Sequence, residues 1–166
     1  MGTVLADDPQ LTVRMVPGAS PIRVVLDTHL NIPDASRILE HDAATAIVTT
    51  SESSAARRDE LRRRGVNVLV VAGGPFGVDL TAALGALARE GIRSLMVEGG
   101  ARVITSLLSE GAADRLVVGI APRVLGSGTD AVGDLGVTEV AGSLRLERRA
   151  VHVAGDDVLI AGDLAR

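Results

Sequence analysis

A chain of 166 residues that is 46% hydrophobic and 23% charged has the length of one domain and the apolar material for a core, which excludes a disordered polymer. Its formal net charge of −4, with no Trp, no Tyr and a single Phe, speaks against a nucleic-acid surface, which is normally basic and equipped with stacking rings. The absence of cysteine removes a disulfide framework, a thiolate nucleophile and any cysteine-based zinc site, and fits a cytoplasmic location.

The start carries no charged-then-apolar signal pattern, and no run of about 18 apolar residues suits a bilayer span. His29, His41 and His152 lack metal-ligand spacing, so no metal is expected. Residues 1–14, MGTVLADDPQLTVR, gather polar groups around a turn. Pro9 biases Asp8 toward an extended conformation. Asp7 and Asp8 suit a helix cap or a ligand's hydroxyls, and Arg14 suits a phosphate, although the pattern alone reads as a solvated surface turn.

A loop at 15–21 leads to a strand over 22–26 that ends in Asp27-Thr28-His29. A second strand, 46–48, ends in Thr49-Thr50-Ser51; Ser53-Ser54 then precede a helix running to Arg64, which Gly65 stops. A third strand, 66–71, ends in Ala72-Gly73-Gly74-Pro75. Leu80, Ala83, Leu84 and Leu87 share one face of a helix over 80–89, with Gly91 as its stop.

The stretch 94–110, SLMVEGGARVITSLLSE, organises the reading. Leu95-Met96-Val97 is too short an apolar run for a helix and suits a buried strand. After Glu98-Gly99-Gly100 the spacing of Val103, Ile104, Leu107 and Leu108 is that of one helical face. Paired glycines between strand and helix let the backbone approach a ligand, and the helix start offers unpaired N–H groups to phosphate. The turn is not the G-x-G-x-x-G fingerprint, and close strand–helix packing explains it equally well. A strand over 115–120 follows, then a loop at 126–136, then two strands at 144–153 and 158–161 joined near Gly155-Asp156-Asp157.

Four predicted strands thus end in DTH, TTS, AGG and EGG. Were they parallel, their C-terminal ends would form one rim with many donors and little bulk, suited to an elongated polar ligand.

Three separated stretches, TVLADDPQLTVR, PIRVVLD and MVEGGARVITSLLSEGAADRLVVGIAPRVLGSG, resemble the reductase domain of the bacterial bifunctional riboflavin-biosynthesis deaminase/reductases. The resemblance covers nearly the whole chain. It implies a dihydrofolate reductase-like α/β fold: a mixed, mostly parallel sheet flanked by helices, with a C-terminal antiparallel strand pair. It also implies a homodimer that reduces 5-amino-6-(5-phosphoribosylamino)uracil to its ribitylamino counterpart with NADPH. Matched motif by motif, it puts Thr3, Asp7 and Thr28 at the cofactor, with Gly100, Ala101, Arg102, Val103, Ile104, Thr105 and Ser106 along its phosphates. Leu11 and Arg14 fall at the substrate, and Glu98 faces it as the catalytic candidate. Thr49, Thr50 and Ser51, with Arg57 or Arg58, are candidates for the cofactor's 2′-phosphate, although a solvated helix face is the plainer reading of both arginines.

Such a reaction asks for alignment and exclusion of water rather than for a nucleophile. Members of the family enter this domain through a strand and a helix ahead of the G-x-T-V-L-A-D-D-P turn, whereas Met1 stands almost at that turn. The expectation is therefore a single reductase domain over 1–166 that lacks this first strand and helix, leaving an exposed strand edge. Three rival readings are a reductase of another pyrimidine or pterin substrate, a non-catalytic NADP-binding or oligomer-forming relative, and a phosphate-binding regulatory module. Cofactor titration and NADPH oxidation separate them.

Overall fold

The computed structural model describes residues 1–165. It divides into two compact units, Met1–Met96 and a second from Val97 onward. The first opens with a short helix, α1 (Gly2–Asp7), and builds a parallel sheet from β1 (Arg23–Leu26), β2 (Thr45–Thr50) and β3 (Asn67–Val71), in that order. Val25 lies opposite Ile47, and Ile47 opposite Val68, so all three project to the same face. There they meet Leu30, Ile32, Ile38 and Leu61, the last from helix α2 (Ala55–Arg63). Val24, Leu26, Val48 and Leu69 project to the other face and pack with Ala83 and Leu87 of helix α3 (Leu80–Arg89). Every residue of β2 is buried, as expected of a parallel strand covered on both sides.

The sequence explains these helices locally. In α3 the Asp79 carboxylate accepts the Ala82 N–H at 2.7 Å, capping a start whose first N–H groups have no partner within the helix. Gly65 and Gly91, at φ 81° and 84°, close α2 and α3 in a left-handed conformation that costs glycine little. Between β3 and α3 lies a tight hairpin, β4 (Gly73–Gly74) and β5 (Gly77–Val78), turning through Pro75-Phe76.

The second unit holds helix α4 (Ala101–Ser109) and an antiparallel sheet of β6 (Arg115–Ile120), β7 (Leu146–Ala154) and β8 (Asp157–Leu164), with β8 in the centre. The tail is thus the predicted antiparallel pair, joined by β6. The pairing of β7 with β8 shifts register between Glu147 and Ala150, and Arg148 takes φ 44° there. Gly162 faces that irregularity, where a Cβ would stand 2.9 Å from the Leu146 Cβ. Asp163 holds both flanking strands, accepting Arg148 Nε at 2.7 Å and Arg115 Nη1 at 3.4 Å.

Two local expectations need correction. Residues 95–97 form no strand: Leu95 and Met96 are exposed, and among the described residues no ladder receives them. An apolar run becomes a strand only where a neighbour can pair its N–H and C=O groups, and the boundary between the compact units falls at this point. Asp8 is not extended but left-handed, at φ 40° and ψ 58°. It ends α1, its N–H bonding the Val4 carbonyl at 3.1 Å, and a short polar side chain tolerates that conformation better than most.

Candidate functional site

In the first unit the tips of β1 and β2 are tied together by one carbonyl. The Thr28 C=O, just past β1, accepts the Thr49 hydroxyl at 2.9 Å, the Thr50 hydroxyl at 3.1 Å and the Thr50 N–H at 3.4 Å. Thr49 and Thr50 are buried, so their hydroxyls hold the rim in shape, leaving Ser51 as the exposed member of the TTS tip. Asp27, also buried, accepts the Ile32 N–H at 2.9 Å and so closes the loop that carries Thr28.

The Thr28 hydroxyl stands beside the β4–β5 hairpin. A Cβ at Gly77 would lie 2.5 Å from Thr28 Oγ1, and Gly77 takes φ 119°, so no other residue fits there unstrained. Small residues at this tip therefore have a mechanical reason: they let hairpin and hydroxyl approach closely.

The DDPQL turn is clasped onto the loop that precedes β2. Asp8 Oδ1 accepts the Arg37 N–H at 2.9 Å, and Gln10 Oε1 accepts Arg37 Nη2 at 2.7 Å. The Gln10 amide donates to Glu40 and Asp42, each at 3.3 Å. Beneath it Arg23 is fully buried, with Nη1 2.7 Å from Asp42 and further donors on the Thr45 hydroxyl and the Glu40 and Ala43 carbonyls. Leu11 emerges from this clasp at φ 51°, a strained value for a branched side chain. Thr3 lies half-buried and Asp7 exposed on α1, and Arg14 is exposed beyond the clasp.

Arg57 and Arg58 are engaged elsewhere. Arg57 pairs with Asp34 at 2.7 Å and Glu60 at 2.8 Å and donates to the Ile32 carbonyl, while Arg58 donates to Ser53. Both serve the packing of α2 in this arrangement.

In the second unit, Gly100 precedes α4 at φ 73° with no side chain capping the helix. The helical ladder starts with the Val103 and Ile104 N–H groups on the Gly100 carbonyl, leaving the amides of Ala101 and Arg102 without an intrahelical acceptor. No acidic residue stands in the first turn, and Arg102 adds a cation. This donor set suits an anion such as a pyrophosphate. Val103, Ile104 and Ser106 are half-buried. The Thr105 hydroxyl donates to the Ala101 carbonyl at 2.6 Å and accepts the Gly133 N–H at 2.7 Å, tying the 126–136 loop to the helix. Glu98 is exposed in the irregular segment before Gly100. Among the described residues no group of three or more His, Asp or Glu is placed to hold a metal ion, and no helix is long and apolar enough to cross a membrane.

Sequence reasoning missed Arg23 and Gln10, because a charged residue at a strand start and a Gln in a turn both read as solvated. It singled out the Thr28 hydroxyl but not its carbonyl, since a main-chain acceptor leaves no mark in the residue type.

Residues 1–160 match the family model described as the RibD C-terminal domain. The chain belongs to that family. Among relatives of the RibD C-terminal domain, the riboflavin biosynthesis protein RibD of Aquifex aeolicus is 39% identical over 161 residues, covering 96% of this chain and 44% of the relative. The 2,5-diamino-6-ribosylamino-4(3H)-pyrimidinone 5′-phosphate reductase of Methanothermobacter thermautotrophicus is also 39% identical, over 166 residues, covering 96% of this chain and 75% of its own. The chain therefore spans less than half the length of that RibD relative and about three quarters of the archaeal one. The solved structure of Acinetobacter baumannii RibD superimposes with a TM-score of 0.81 at 25% identity, covering 99% of this chain and 45% of that one. The riboflavin biosynthesis reductase Rib7 of Saccharomyces cerevisiae gives a TM-score of 0.75 at 27% identity, covering 99% and 72%. The mixed α/β architecture is that of the RibD reductase structures.

Proposed function

We propose that this chain is an NADPH-dependent reductase of a phosphoribosylamino-pyrimidine in riboflavin biosynthesis, converting the ribosylamino side chain to ribitylamino. The observation that carries this reading is the 39% identity to the archaeal reductase across 96% of the chain. The relatives differ in ring chemistry. The archaeal enzyme is named for a 2,5-diaminopyrimidinone, whereas the Thermotoga maritima protein is named as a reductase of 5-amino-6-(5-phosphoribosylamino)uracil. The uracil is the substrate proposed here, and the bond reduced is the same in both.

The nicotinamide, when bound, supplies a hydride to C1′ of the ring-opened ribosylamine, and the neighbouring nitrogen gains a proton. The chain's own residues bind and orient. The free amides at the start of α4, with Arg102, would hold the cofactor's phosphates, and Thr3, Asp7 and Thr28 its remaining polar groups. Arg14 would grip the substrate's phosphate as a fork of donors, with Leu11 beside it. Glu98 would orient the substrate and stabilise the positive charge on its C=N group before reduction. Ser51 is the exposed hydroxyl of the rim and the best remaining candidate for the 2′-phosphate.

The test is oxidation of NADPH by the purified chain with each of the two pyrimidines. Turnover on the uracil supports the reading, turnover on the diaminopyrimidinone alone reassigns the substrate, and none on either overturns it. Glu98→Gln is expected to lower kcat/KM at least tenfold, and an unchanged value would remove Glu98 from the mechanism. The cytoplasm is the expected location. A homodimer is expected through the β6–β8–β7 sheet, where Val118, Ile120, Val151 and Val153 expose apolar surface on one face.

A further inference from the structure

Phe76 is the only Phe in a chain without Tyr or Trp, and 82% of it is exposed. Neither the turn nor the core accounts for it. It occupies the third position of a two-residue hairpin loop, Gly74-Pro75-Phe76-Gly77, where turn chemistry favours small or polar residues. Its ring contributes to neither apolar cluster of the first unit.

The support beneath it is rigid. Val78, two residues on, packs against the cluster of Val48, Ala83 and Leu87. The Asp79 N–H bonds the Ala72 carbonyl at 3.1 Å, closing the base of the hairpin before α3 begins. Gly77 sits hard against Thr28 Oγ1, and a Cβ at Gly73 would be in ordinary contact with Thr50 Cγ2 at 3.7 Å. The ring is thus carried on a short stiff arm at the C-terminal end of the parallel strands, where open α/β sheets bind their ligands.

We propose that Phe76 is a stacking platform for the adenine of the dinucleotide cofactor, an inference that rests on the reductase reading above. An exposed ring in water gains when a flat base covers it, and every base has a π-face to offer. The adenine end is chosen over the nicotinamide end because hydride transfer needs a site closed to water, and Phe76 stands open to it. Stacking asks only for a flat ring, so Tyr or Trp substitutes for Phe in this role, whereas Ala does not.

The experiment is calorimetric titration of the full chain and of Phe76→Ala, Phe76→Tyr and Phe76→Trp with NADPH, adenosine 2′,5′-bisphosphate and reduced nicotinamide mononucleotide. With its ring in solvent, Phe76→Ala is expected to keep the parent melting temperature, so a change in binding reads the site. NADPH and the bisphosphate are expected to bind Phe76→Ala roughly tenfold more weakly, with Tyr and Trp retaining affinity. Binding of the mononucleotide is expected to be unchanged. Phe76→Trp also installs the chain's only indole, whose fluorescence the bisphosphate is expected to quench without any nicotinamide present. Parent affinity of Phe76→Ala for both adenine ligands, beside a parent chain that binds NADPH, overturns the platform and leaves the reductase reading intact. A parent chain that binds none of the three overturns both.

Discussion

The two sheets use similar apolar residues to different ends. In the first unit β2 is buried along its whole length, its alternate residues feeding two cores beneath α2 and α3. In the second, β8 is the central strand, yet Val118, Ile120, Val151 and Val153 on its neighbours remain exposed. A parallel sheet crossed by helices supplies its own cover, whereas an antiparallel sheet can leave a face for something else to occupy. The contrast extends to charge. Arg23 is sealed beneath the clasp with its donors satisfied, whereas Arg115 and Arg148 reach Asp163 across solvent.

That contrast predicts the largest effect. Arg23→Ala strips donors from the buried Thr45 hydroxyl and from the partly buried carbonyls of Glu40 and Ala43, and a loss on the order of 3 kcal/mol in denaturant unfolding is expected. Arg148→Ala, at an exposed pair of similar length, is expected to cost less than about 1 kcal/mol. Equal losses would erase the distinction between a buried and a solvated arginine.

Next in size is Gly77→Ala. The new Cβ meets Thr28 Oγ1 at a backbone angle that L residues avoid, so the hairpin must shift, at a cost of about 1–3 kcal/mol. NADPH affinity is expected to fall with it, because both Thr28 and Phe76 move. A folded variant with parent affinity would separate the hairpin from the proposed cofactor site.

A smaller effect on the monomer is expected where the second sheet is exposed. The double variant Val151→Glu, Val153→Glu leaves the first unit's core untouched and is expected to change its unfolding by less than about 0.5 kcal/mol. Sedimentation is expected to show a shift from dimer to monomer. An unchanged dimer would place the interface elsewhere.

Much of the fold was legible because local rules and packing agree. Helix α3 follows the spacing of Leu80, Ala83, Leu84 and Leu87 to both ends, and β6 fills its predicted bounds. Residues 95–97 failed because a short apolar run says nothing about whether a neighbouring strand exists to pair with it. Asp8 failed because a steric bias from Pro9 competes with a helix end and a bond from Arg37, both set by the fold. At the rim, Thr49 and Thr50 were legible as hydroxyls but not as to direction: whether a side chain serves a ligand or a neighbouring carbonyl depends on register, which residue type does not encode. The glycine turn before α4 was legible because its chemistry is carried by the backbone, and residue type restricts the backbone most at glycine.

The smallest effect concerns Asp34, which links the loop after β1 to α2. The hydrogen bond from Arg57 is the largest cause that holds its carboxyl below the usual carboxylate range; desolvation opposes it, and the charges of Arg57 and Arg64 add to the lowering. A carboxylate depressed in the folded state binds its proton more readily when the chain unfolds. Its stabilisation is therefore complete above the ordinary carboxylate pKa and disappears as pH falls through the folded value. Asp34→Asn is expected to show a slightly lower melting temperature than the parent near neutral pH and the same one in strong acid. Added salt is expected to shrink the neutral-pH gap, because the pair is exposed. A gap that persists in acid would mean that Asp34 acts through its packing or neutral hydrogen bonds, and the charge link between that loop and α2 would carry no stability.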